Sequence, residues 1–83
     1  MASRIIYKGS IGADLRRLDP PVVRRVLDKL ERTLSANPNA GAPLTGEFKG
    51  LFKYRVGEYR VLYAKTTEGL LILRIRHRKD AYR

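Results

Sequence analysis

The spacing of apolar residues changes period once along this chain, and that change limits the folds open to it. Up to Leu34 the apolar positions recur at helical intervals, and from Leu51 onward they alternate with polar ones. Ile11, Leu15 and Leu18 predict a short amphipathic helix with Arg16 and Arg17 outside. Asp19-Pro20-Pro21 predicts the start of a second helix, with the Asp19 side chain as capping acceptor and proline where a missing N–H costs nothing. Val23, Leu27, Leu30 and Leu34 then form its apolar stripe, widened by Val26, until Asn37-Pro38 stops it. Residues 39–50 read as a loop that Leu44 and Phe48 pin to the core.

Beyond the loop, Phe52, Tyr54 and Val56 alternate with Lys53 and Arg55, and Gly57-Glu58 marks a tight turn. Residues 59–65 form the next strand, residues 66–69 the next turn, and residues 70–77 the last strand. Strict alternation puts Leu71, Leu73 and Ile75 on one face of that last strand, and Leu70, Ile72, Arg74 and Arg76 on the other. Ile5-Ile6-Tyr7 reads as a short first strand, broken by Lys8-Gly9-Ser10. The order is β-α-α-β-β-β. It is an α+β fold, a helical hairpin packed on an antiparallel sheet, and residues 1–83 form a single domain.

A core of this size leaves a net stability of only roughly 3–5 kcal/mol. With no cysteine there is no disulfide to add to it, which fits a reducing cytoplasm. No apolar run is long enough for a signal peptide or a membrane span. Charge points to the partner. The formal net charge is +10, and the excess is uneven: 8 basic and 5 acidic residues precede Phe48, 10 basic and 3 acidic follow. A basic field on a small domain suits a polyanion. The cations lie in strand-like segments and not on a basic amphipathic helix, so a lipid surface fits less well than a nucleic acid.

Strand alternation places Lys53 and Arg55 on one face, with Arg60 in cross-strand reach beyond the turn. Arg78 and His77, at the end of the last strand, would join them in one basic patch, and Tyr82 follows. Taken singly, each is an ordinary solvated cation, a strand-end histidine or a covering aromatic. Their convergence suggests an anion seated between them. One histidine, no cysteine and no paired carboxylates make a metal centre a poor fit, and no cofactor is expected. Nor is there a Ser–His–Asp arrangement or a phosphate-cradling glycine loop. RNA carries its own nucleophile, the 2′-hydroxyl. A site for cleaving it has only to align that oxygen with phosphorus, offset developing charge and move protons. Either Lys53, its pKa lowered by neighbouring cations, or His77 could move the proton; arginine stays charged and suits a clamp. Tyr82 could stack on a base or bond a phosphate.

The string Phe52-Lys53-Tyr54-Arg55-Val56-Gly57-Glu58-Tyr59-Arg60-Val61-Leu62-Tyr63 and the ending His77-Arg78-Lys79-Asp80-Ala81-Tyr82 resemble the RelE/ParE toxin superfamily. Asn37-Pro38 and Leu44 sit where that family places its loop motif, so the resemblance spans nearly the whole chain. It implies a toxin of a toxin–antitoxin pair, a monomer held by a cognate antitoxin that covers its basic surface. RelE-like members are ribosome-dependent, metal-independent endoribonucleases, or mRNA interferases. They cut mRNA in the ribosomal A site and leave a 2′,3′-cyclic phosphate. The resemblance would make Lys53 the base, Arg55 and Arg60 the phosphate clamps, Arg78 the aid to the leaving 5′-oxygen, and Tyr82 the residue that orients the nucleotide. The expected partners are the antitoxin, the ribosome and mRNA, with no membrane.

The chain also departs from the pattern. Arg55 stands where RelE members often carry lysine, and the step from Arg78 to Tyr82 is shorter than in some. The chain stops at Arg83, short of the C-terminal helix of several relatives, and Ala42 replaces the glutamate of a YoeB-like subgroup. Two alternatives stand beside the nuclease: a ParE-like inhibitor of DNA gyrase, and a non-catalytic RNA-binding module.

Overall fold

The structure, a computed structural model, describes residues 3–79. The α+β class and the helical hairpin expected from the sequence are present. Strand β1 (Ile5–Tyr7) leads to helix α1 (Ile11–Arg16) and helix α2 (Pro20–Lys29), which runs on into a wider π-helical turn, Leu30–Leu34. A two-residue strand, β2 (Ala42–Pro43), and a 3-10 turn (Gly46–Phe48) precede β3 (Leu51–Val56), β4 (Tyr59–Thr66) and β5 (Gly69–His77).

The sheet differs from the expectation in two respects. It has five strands in the order β1-β5-β4-β3-β2, because Ala42 and Pro43 pair with Lys53 and Phe52 at the edge of β3. It is also mixed: β3, β4 and β5 form antiparallel hairpins, but β1 pairs with β5 in parallel. Two residues of pairing leave too little hydrophobic pattern for a sequence reading to detect β2.

Both helices lie on one face of the sheet. Val26, Leu30 and Leu34 of the second helix are fully buried against Val56, Val61, Tyr63, Ile72 and Ile75. Proline occupies the first turn of α2 as expected, but the Asp19 side chain makes no capping bond. Instead the extended Asp19 backbone offers its carbonyl to the N–H groups of Val22 and Val23, at 2.9 and 3.0 Å. Leu44 is half-buried and its N–H donates to the Leu51 carbonyl at 2.9 Å, so it does tie the loop to β3. Phe48 does not reach the core: it is 42% exposed.

The faces of β5 also differ from strict alternation. Leu70 and Ile72 are buried, and so is Ile75, an odd number of residues further on. The ladder shifts at Leu62/Tyr63: Leu62 pairs with Arg74 and Tyr63 with Ile72, leaving Leu73 as an extra residue. This β-bulge reverses the parity of everything after it. Arg74 and Arg76 therefore lie on the face turned away from the helices, opposite to Ile75.

Candidate nucleic-acid interface

The outer face of the sheet can be read row by row from the register. One row is apolar: Ile6, Leu71, Ala64 and Leu51 are successive cross-strand partners. The next holds Lys53, Leu62 and Arg74, and the one after it Arg55, Arg60 and Arg76. Beyond them the Arg78 N–H donates to the Glu58 carbonyl at 2.8 Å, which continues the β4–β5 ladder. Neighbouring strands lie about 4.8 Å apart and same-face residues about 6.8 Å apart along a strand, so these rows form a compact lattice of cations.

Lys53, Arg55, Arg60 and Arg78 thus share one face, as the sequence suggested. Arg55 is exposed, and its Nε donates to the Gly57 carbonyl at 3.0 Å. That bond folds the arginine back over the hairpin turn, where Gly57 adopts a φ of 58° that suits glycine. Arg78 pairs with Glu58 at 2.9 Å in an exposed position, a contact that holds geometry more than it stabilises. Lys53 and Arg60 are half-buried.

His77 does not join this group. It pairs opposite Tyr59, on the helix side of the sheet, and the two rings meet edge to face with centroids 5.3 Å apart. Its Nδ1 accepts the Lys79 N–H at 3.2 Å. The ring lines a cavity of about 120 Å³ with Asp14, Arg17, Leu18, Tyr59, Ile75 and Arg76. Tyr82 lies outside the described residues.

The sequence reading missed Asp14 altogether. Strand β1 pairs only with Leu70, Leu71 and Ile72, so the edge of β5 beyond them needs another partner. Helix α1 supplies it. The Asp14 carboxylate, in a residue only 6% exposed, accepts the Ile75 N–H at 3.0 Å. It also accepts Arg74 Nε at 3.2 Å and Arg74 Nη2 at 3.4 Å, while Arg76 Nε stands 4.0 Å away. Arg76 Nε is buried and has no hydrogen-bond partner of its own. The signal was an acid three residues after Ile11, on the stripe where an apolar side chain was due. Among the described residues, no three of His, Cys, Asp or Glu come together to hold a metal ion, and no helix is long and apolar enough to cross a membrane.

Comparison with known proteins places this fold in a family. Residues 5–82 match the family model of the ParE toxin of type II toxin–antitoxin systems. The toxin in the RelBE2 toxin–antitoxin complex from Mycobacterium tuberculosis is 31% identical; 93% of this chain superposes on 99% of that one, with a TM-score of 0.87. A chain of the archaeal RelE–RelB complex from Pyrococcus horikoshii is 27% identical, with coverage of 98% and 100% and a TM-score of 0.68. The free RelE mutant from E. coli shares the fold at 16% identity, with coverage of 98% and 88% and a TM-score of 0.75. A search of curated proteins found no match. The chain belongs to the RelE/ParE family of type II toxin–antitoxin toxins.

Proposed function

We propose that this toxin is a RelE-like endoribonuclease that acts on mRNA in the ribosome without a metal ion, and that a cognate antitoxin neutralises it by covering the outer sheet face. The observation that carries the reading is the shared face of Lys53, Arg55, Arg60 and Arg78. Like charges gathered on one sheet face repel, and a phosphodiester seated among them relieves that repulsion.

The chemistry divides among these residues. Arg55 and Arg60 are direct cross-strand partners and would grip the non-bridging oxygens of the scissile phosphate. The RNA 2′-oxygen attacks phosphorus and the 5′-oxygen leaves, giving a 2′,3′-cyclic phosphate. Lys53 takes the proton from the 2′-hydroxyl. Arg78, steadied by Glu58, offsets charge on the departing 5′-oxygen, which takes a proton from water to leave as the 5′-hydroxyl. The proton falls to Lys53 and not His77, because His77 is on the helix side with Tyr59. Tyr82 is assigned the orienting role on the resemblance alone.

The test is to add the protein to translating ribosomes and map mRNA ends. Codon-phased cuts with 2′,3′-cyclic phosphates are expected. Arg60→Ala should remain folded and lose about 10²–10³ in rate, as when one charge-stabilising donor is removed from a site. Wild-type cleavage by a folded Arg60→Ala protein would refute the clamp. The match to a ParE model favours one second reading, a gyrase poison that leaves RNA intact. Gyrase-linked DNA breaks with uncut mRNA would establish it. Salt-dependent RNA binding with neither activity would leave a binding module.

A further inference from the structure

We propose that the phosphate-binding surface continues across β5, with Arg74 and Arg76 as additional contacts to the RNA backbone and Asp14 as the residue that positions them. The proposal rests on the reading of the outer face as an RNA surface and adds a direction to it. From Arg55 and Arg60 the next cation in the same row is Arg76, and from Lys53 across Leu62 the next is Arg74. Asp14 at the β5 edge hydrogen-bonds Arg74 and lies 4.0 Å from Arg76 Nε, and Arg17 of the helix connection lines the same cavity as Arg76. Cations therefore step from β3 through β4 and β5 to the end of α1. That path suits successive phosphates of a single strand leaving the scissile position.

Asp14 does more than neutralise. It engages two of the five donors of Arg74 and so orders a guanidinium whose side chain remains 41% exposed. A pre-ordered arginine gives up less conformational freedom when it meets a phosphate. Arg76 stands in a longer ion pair, its Nε 4.0 Å from the same carboxylate, with 22% of its side chain exposed. The bulge at Leu73 is what turns both side chains to this face.

Affinity for a short fluorescent oligouridine, measured as a function of NaCl concentration, tests this. Arg74→Ala and Arg76→Ala should each lower the slope of log K against log salt by about 0.7, the value for one phosphate contact to a single strand. Arg32→Ala, which changes a helix-side arginine paired with Asp28, should leave the slope unaltered. Asp14→Asn is the sharper variant. It raises the net positive charge by one and keeps an acceptor for the Ile75 N–H. Simple electrostatics predicts tighter binding, whereas positioning predicts binding several-fold weaker. Arg74→Lys keeps the charge but loses the fork, and should also weaken binding. Asp14→Asn or Arg74→Lys binding as tightly as wild type, or unchanged slopes for both alanine variants, would overturn the proposal. A slope unchanged in Arg60→Ala as well would sink the parent reading instead. Melting curves on each variant separate loss of fold from loss of contact, and Arg76→Ala leaves the Asp14–Arg74 pair intact should the others fail to fold.

Discussion

The phenol of Tyr63 is fully buried, with its hydroxyl between the loop and the sheet. It donates to the Pro38 carbonyl at 2.7 Å and accepts the Gly41 N–H at 3.1 Å. Removing the hydroxyl orphans both backbone groups, so Tyr63→Phe should cost about 1–3 kcal/mol. At this chain length that is a fall in Tm of about 4–8 °C per kcal/mol, readable by calorimetry. Burial also holds the Tyr63 phenol above its ordinary pKa, and Tyr54 adds to this while the Gly41 N–H opposes it. Tyr7 is raised too, by burial first and then by the charge of Glu31. An acid that keeps its proton longer in the fold than in the open chain stabilises the fold fully below its unfolded pKa of 10.0. That contribution is lost as pH rises through the folded value. Stability should therefore decline above about pH 10, and Tyr7→Phe should flatten the decline; equal alkaline unfolding profiles for Tyr7→Phe and wild type would count against it.

At the scale of elements, the second helix and the strands carry unequal shares of the fold. Leu30 is fully buried where α2 widens into its π-helical turn, and Ser35 caps the turn by donating to the Leu30 and Glu31 carbonyls at 3.0 and 2.6 Å. Leu30→Ala should cost about 2–5 kcal/mol, comparable with the whole stability of so small a domain. A denaturant titration of that variant should show an unfolded fraction before any urea is added. These elements also show what the sequence made legible. Helical periodicity marked α2, although Val26, Leu30 and Leu34 are its buried centre and Val23 and Leu27 its flanks. Alternation placed Lys53, Arg55 and Arg60 on one face because β3 and β4 are regular along that stretch. It failed on β5, because a bulge is set by pairing with a neighbour and leaves no mark in a single strand's pattern. For the same reason the parallel β1–β5 contact and the Asp14 clip were invisible: each joins residues more than fifty apart.

Across the whole molecule, a net charge of +10 occupies a body about 31 × 30 × 23 Å. The Debye length falls from about 30 Å at 0.01 M salt to about 8 Å at 0.15 M, so added salt removes repulsion between distant cations more than it weakens the close Asp14–Arg74 pair, whose carboxylate is buried. Raising NaCl from about 10 mM to about 150 mM should therefore raise Tm. A fall in Tm would mean that local ion pairs outweigh the global field. The same repulsion makes the outer face a place where any acidic partner gains twice, from attraction and from relief of strain between like charges. The order of the strands adds a constraint in time. Among the five described strands, β1 is translated before the others and rests against β5, which is translated after them and also supplies the third column of cations. At roughly 5–20 residues per second β1 waits several seconds for its neighbour, so the charged lattice is assembled only after β5 has been made.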